Sequence, residues 1–349
     1  MWRFAMQRYT PLFLIAFVFS LVLLAGNTYL TGYADQTGAK KNKSITVYTT
    51  LPVEHVAILA EAYEKANHVK VNFVPLTEEE LLLRIKKEAV TPIGTTDLVL
   101  ADKETLLQSA AAHVFLPYAS EQTDIISDKF KDQNGDWVGV WYDPIIFCAN
   151  KDYLLTLPVI PNTWDSLLAL PNVRIGITDF FAADASANLL FTLVAEYDEN
   201  KVFTLLNKLH PKVVQYSKYL STPVRMAGMG EVDISIAVQS ETIRYMNEGF
   251  PLTIIYPTDG TAYKLTGAGI LKNAPQKAAA EQFVKWLTED DVQFVLQQNK
   301  FFFVPTNQST VAYKLFSGKS LTLFDNYSDL TLQQKRAVLD RWVKNIRLK

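Results

Sequence analysis

One cysteine, Cys148, stands among 349 residues, so the chain can build neither a disulfide framework nor a thiolate metal cluster. Histidine is nearly as scarce. His55, His68, His113 and His210 are scattered, with no pair at ligand spacing, which leaves carboxylates or tyrosines as the remaining metal donors. An excess of charge is missing too. The net charge is -2, with lysines and arginines spread along the chain rather than gathered into the basic stripe that nucleic-acid binding requires. No internal repeat or low-complexity tract occurs. What is present is 49% hydrophobic and 20% charged, the composition of a globular protein with a sizeable core, long enough for one large or two medium domains.

The N-terminus carries the strongest local signal. Arg3 and Arg8 precede the apolar run LFLIAFVFSLVLLA at 12–25, and no charge follows until Asp35. A basic start, an apolar stretch and a polar run-out describe an export signal, with Gly32 and Ala34 as a small-x-small cleavage site. Residues 1–34 are therefore read as a signal peptide, or as an uncleaved anchor, since the uncharged span from Tyr9 to Ala34 is long enough to cross a bilayer. Positive charge ahead of the span places the rest of the chain in the periplasm or on the extracytoplasmic face of the membrane in both cases. Residues 35–43 read as a linker.

From Ile45 onward, short apolar runs alternate with amphipathic helices. ITVYT, VKVNFVPL and TTDLVLA read as strands; helices begin after Thr50, at TEEELLLRIKKEAV, with Thr77 and Glu80 as a capping box, and at DKETLLQSAAA. This alternation is the signature of parallel βαβ units, in which ligands bind outside the carboxyl ends of the strands. Thr49 and Thr50 sit at such an end, against a helix start whose N–H groups suit an anion. The middle of the chain is an aromatic-rich extended stretch, DWVGVWYDPIIFCANKDYL, followed by a helix capped by Thr163 and by VRIGITD as a strand. Ser186 is expected to precede the helix ANLLFTLVAEY, and a later helix to start near Glu241 between the strands VDISIAV and PLTIIYP. The C-terminal third offers the strand AYKLTGAGILK, one long helix, APQKAAAEQFVKWLTEDDVQFVLQQ, with Pro275 early in it, and a closing amphipathic helix, TLQQKRAVLDRWVKNIRLK.

Five passages, in order, resemble the extracellular solute-binding proteins of ABC importers, in the branch holding ferric-ion, phosphonate and sugar-phosphate binders. They are VYTTLPVEHVAILAEAYEK, LLLRIKKEAVTPIGTTDLVLA, NTWDSLLAL, MGEVDISIAV and YPTDGTAY, and they run from about residue 44 to 306. The resemblance implies an α/β, two-lobed type II periplasmic-binding fold with mixed, mostly parallel sheets and a ligand cleft between the lobes. Crossing strands near Trp141–Pro144 and Ile254–Pro257 would make residues 44–141 and 257–349 one lobe and 142–256 the other. It also implies a monomer that binds a small anionic solute without a cofactor and delivers it to an ABC permease in the cytoplasmic membrane.

Ferric-ion binders of this family hold their metal with adjacent tyrosines after the Gly-Glu-x-Asp strand. Gln239 and Ser240 stand there in this chain, and an amide and a hydroxyl are poor ligands for a hard cation. The family's Ser-Gly-Thr phosphate turn aligns with Ser186, Ala187 and Asn188. The expected ligand contacts are Thr49, Thr50, Trp141, Tyr142, Ser186, Asn188, Gln239, Ser240, Tyr256, Thr258 and Asp259. The expected role is capture of a phosphonate, sugar phosphate or similar organophosphate by cleft closure. The alternatives are a ferric-ion carrier, a membrane-tethered sensor using the same cleft, and an enzyme on the same fold. Against the last, Cys148 lies in the apolar run IIFC with no basic neighbour in sequence and reads as a buried inert thiol.

Overall fold

The computed structural model describes residues 44–317, 321–325 and 330–348. The expected export signal or anchor and its linker lie outside them. Among the described residues no helix is long and apolar enough to cross a membrane.

The first βαβ units form as the periodicity predicts. β1 (Ser44–Thr49), α1 (Val53–Asn67), β2 (Lys70–Pro75), α2 (Glu78–Glu88), β3 (Leu98–Asp102) and α3 (Lys103–Ala111) follow one another, with β1 parallel to both β2 and β3. α1 buries Val56, Leu59 and Tyr63, and α2 opens on the Thr77–Glu80 capping box. A short α4 (Glu121–Asp124) leads to β4 (Val138–Asn150), after which come α5 (Lys151–Leu154), α6 (Trp164–Ala169), β5 (Ile175–Thr178), α7 (Asp184–Tyr197) and α8 (Glu199–Leu209). β6 (Val213–Ser217), α9 (Ser221–Gly228), β7 (Ile234–Val238), α10 (Gln239–Asn247), β8 (Leu252–Ile255) and β9 (Tyr263–Ile270) continue the chain. It closes with α11 (Lys277–Leu287), α12 (Asp290–Gln298), β10 (Val304–Pro305), α13 (Val311–Phe316) and α14 (Leu332–Trp342).

β4 joins two halves. Its first part, Val138–Pro144, pairs antiparallel with β9, while Ile145–Ala149 pairs with β7 and Phe147–Asn150 with β8. Pro144 stands at the change of partner, where a missing N–H is tolerated. The strands run β2-β1-β3-β9-β4-β7-β5-β6, and every antiparallel pairing between these described strands involves β4 or β9. One hydrophobic cluster, around Leu59, Ile85, Leu100 and Phe283, lies on the β1–β3 side. A second, around Phe147, Trp164, Leu190 and Ile236, lies on the β5–β7 side.

The structure differs from three expectations. The long helix expected around Pro275 is two, α11 and α12, divided at Thr288, which caps α11 and whose carbonyl accepts from Asn307. α7 begins at Asp184, so Ser186 falls inside its first turn. The closing helix, expected with the first half, buries Val338, Trp342 and Ile346 in the second cluster. Its apolar stripe could serve either half; the packing of Trp342 on Phe180 and Tyr216 places it against the second.

Candidate functional site

Two cavities lie between the halves, and Lys264 of β9 lines both. The larger, about 410 Å³, is walled by Thr50, Thr77, Asp102 and Glu104 on one side and by Asp184, Asn188 and Phe191 of α7 on the other, with Lys335 of α14 reaching in. The smaller, about 230 Å³, sits against β4 and β9 and is walled by Leu51, His55, Trp141, Phe301 and Phe303 opposite Ala185, Leu220, Val238 and Ser240.

Charge in the larger cavity is tightly distributed. Thr50 donates to Asp102 Oδ2, and Asp102 also caps α3 by accepting from the Thr105 N–H. Lys335 meets Glu104 at 2.9 Å. Partial desolvation, then the nearby charges of Asp102 and Glu104, raises the pKa of Glu78. Lys264 meets Asp184 at 3.3 Å, but Asp184 is 85% exposed, so water screens that contact heavily.

In the smaller cavity, Asp143 accepts both the backbone N–H and the hydroxyl of Ser240, at the first turn of α10. The carboxylate thereby occupies a helix start that could otherwise hold an anion. Desolvation raises Asp143 to about 7, against the lowering effect of those two bonds. The folded chain therefore keeps a proton that the unfolded chain releases near pH 4. The stability this adds is complete at low pH and is lost as pH rises through about 7. Relative to Asp143→Asn, the melting temperature of the parent should fall by several degrees between about pH 4 and 7, then run parallel above it. Parallel melting curves across that window, measured by circular dichroism, would contradict the assignment.

The structure brings together four of the expected contacts. Thr50 and Asn188 face one another across the larger cavity; Trp141 and Ser240 line the smaller. The others go elsewhere. Thr49 is fully buried and its hydroxyl accepts from the Leu51 N–H, closing the turn before α1. Tyr142 alternates to the opposite face of β4 from Trp141 and stacks on Phe130 in the first cluster. Ser186 donates back to Asp179 O and Ala183 O, which its place inside the helix allows. Gln239 is buried and donates to Phe316 O. Tyr256 packs against the small cluster around Cys148, and Thr258 donates to Asn162 O. Asp259 accepts from the Trp164 N–H at the start of α6, and its backbone oxygen accepts from Tyr197. Gly260 follows at φ +100°, with the Phe324 ring where a Cβ would stand. The YPTDGTAY turn is thus a junction between α6, α7 and the C-terminal segment.

Sequence reasoning missed Lys264, Asp143, Phe301 and Phe303. A signal existed for two of them: Asp143 and Lys264 are single charges inside otherwise apolar strand runs, where an unpaired charge is costly and needs a reason.

Residues 59–319 match the family described as bacterial extracellular solute-binding protein. An uncharacterized protein of Haemophilus influenzae is 26% identical, over 94% of this chain and 96% of its own. Among solved structures, the periplasmic binding protein AfuA of Actinobacillus pleuropneumoniae, with exogenous fructose-6-phosphate bound, superposes with a TM-score of 0.65 at 22% identity over 88% of this chain and all of that one. The ferric iron-binding protein A of Mannheimia haemolytica, in an open conformation, gives 0.66 at 19% identity over 87% and 98%. These likenesses establish the two-lobed binding-protein fold.

Proposed function

From a chain that belongs to the family of bacterial extracellular solute-binding proteins, we propose capture of a small organic anion, of the phosphonate or sugar-phosphate class, for delivery to an ABC permease. Lys264 carries this reading. It is the cation common to both cavities, and its ion-pair contact is to an exposed carboxylate. A phosphate or carboxylate arriving from solvent can take that place with a shorter, charge-assisted bond. The carboxylates beside it, Asp102 and Glu104, are suited to accept hydrogen bonds from hydroxyls on the rest of the solute. A ligand drives closure only through contacts with both halves; Lys264 and Thr50 supply one side, Asn188 and Ser240 the other. The AfuA complex with a sugar phosphate supports the class.

Ferric ion is the second reading, favoured by the likeness to the Mannheimia haemolytica ferric iron-binding protein A and by three tyrosines, Tyr142, Tyr256 and Tyr313, that couple electrostatically on ionisation. None of the three lines either cavity, and burial raises the pKa of Tyr142, disfavouring the phenolate. Among the described residues, no three histidine, cysteine, aspartate or glutamate side chains converge as metal ligands. Catalysis through the lone thiol is disfavoured by the burial that pushes Cys148 up to about 12.

A thermal-shift screen of the full chain against sugar phosphates, phosphonates, inorganic phosphate and ferric ion tests the proposal. Saturating ligand at 100 Kd adds about 2.7 kcal/mol. A rise with an organic anion is the expected result; a rise with ferric ion alone would overturn it.

A further inference from the structure

We infer that the smaller cavity is a ring-binding subsite, and that the solute is an anion carrying a flat aromatic or heteroaromatic ring. This deepens the anion reading above and rests on it. Phe301 and Phe303 are parallel, with centroids 6.1 Å apart and planes at 6°. Phe303 is in turn parallel to Trp141 at 5.8 Å and 13°, and His55 stands edge-on to Phe301 at 4.1 Å. Four rings thus run along one wall, all on the side of the first hydrophobic cluster or packed beside it. Across the cavity stand Leu220 and Val238, which belong with the second cluster. A planar ring lying between these faces buries apolar surface on both halves at once. That gives it the differential affinity for a closed form that a ligand touching one half lacks.

Apart from Lys264, the charges at this end are already committed. Asp143 is bonded to Ser240, Glu241 is paired with Arg244, and Lys300 with Glu248. Burial lowers the pKa of His55, favouring the neutral imidazole as one more flat surface. A sugar's hydroxyls would find few acceptors against this wall, whereas an aromatic ring gains from parallel and edge-to-face contacts. The volume, about 230 Å³, lies below the roughly 300 Å³ where drug-sized ligand pockets begin, so one ring fits with its anionic group directed to Lys264.

The test compares phenyl phosphate with glycerol phosphate by titration calorimetry on the full chain. Phenyl phosphate is expected to bind tighter by about tenfold, the order of one favourable aromatic contact, and Phe303→Leu should remove that advantage while leaving glycerol phosphate within about twofold. Equal affinities, or a preference for glycerol phosphate, would overturn the ring assignment and leave the anion reading standing. Binding of neither phosphate would overturn the anion reading, and the ring assignment with it. Should Phe303→Leu fail to fold, the comparison of the two probes on the parent chain still decides.

Discussion

Replacing Lys264 by glutamine is expected to weaken binding of the organic anion by about 10- to 100-fold, because a hydrogen bond to a charged group contributes about 1.5–3 kcal/mol and each 1.4 kcal/mol is a decade. The effect is large because, among the described residues, the other cations lining the two cavities are already engaged. Lys335 is engaged by Glu104, and Lys300, at the far wall of the smaller cavity, by Glu248. Stability should change little, since the Lys264–Asp184 pair is largely solvent-screened. The variant should therefore melt close to the parent without ligand and lose the ligand-induced rise. Salt supplies a second signature: affinity of the parent should fall as ionic strength rises, and that of Lys264→Gln should respond less. Calorimetric affinities within twofold of the parent would remove Lys264 from the site, and with it the observation on which the anion proposal depends.

Trp342→Ala should have the largest effect on stability, a loss of about 3–5 kcal/mol. Trp342 is 1% exposed and closes the second cluster from outside. It meets Phe180 edge-on at 5.0 Å and Tyr216 at 5.7 Å. Its indole N–H has no hydrogen-bond partner among the described residues, so the loss is one of packing with no hydrogen bond to discount. The flanking pairs, Arg341 with Glu199 and Arg347 with Asp179, are partly exposed and contribute little by themselves. Without the indole, α14 should detach, and Lys335 with it, opening the larger cavity at that wall. Denaturant unfolding and amide exchange of residues 332–347 would show this. A loss below about 1 kcal/mol, with the helix amides still protected, would mean the helix is held by its polar contacts instead.

Much of the fold was legible because it is written in local periodicity. Apolar alternation located β1, β2 and β3, and the Thr77–Glu80 box placed the start of α2 where it occurs. The division of the long helix after Pro275 was not legible. Its apolar spacing continues through Thr288, and at the break the Thr288 carbonyl accepts from Asn307, a contact from a distant segment that no local pattern announces. The site divides along the same line. Thr50 and Ser240, beside helix starts, Trp141, in the aromatic-rich stretch, and Asn188, in the aligned phosphate turn, were expected ligand contacts and do line the cavities. Thr49, Ser186 and Asp259 carry the same local signature, yet their hydrogen bonds close a turn, return to the preceding loop and cap α6.

By itself, the sequence determined the class of fold and the alternation of elements, since these follow from side-chain period and capping within a few residues. The tertiary structure alone decided which half the closing helix joins, which hydroxyls reach the cavities, and that Lys264 stands between them. Those facts depend on contacts between segments far apart in the chain, such as β9 against α7 and α14 against Phe180. Short hydroxyl-bearing side chains can satisfy either a local backbone group or a ligand, and only the packing of the rest of the chain settles which.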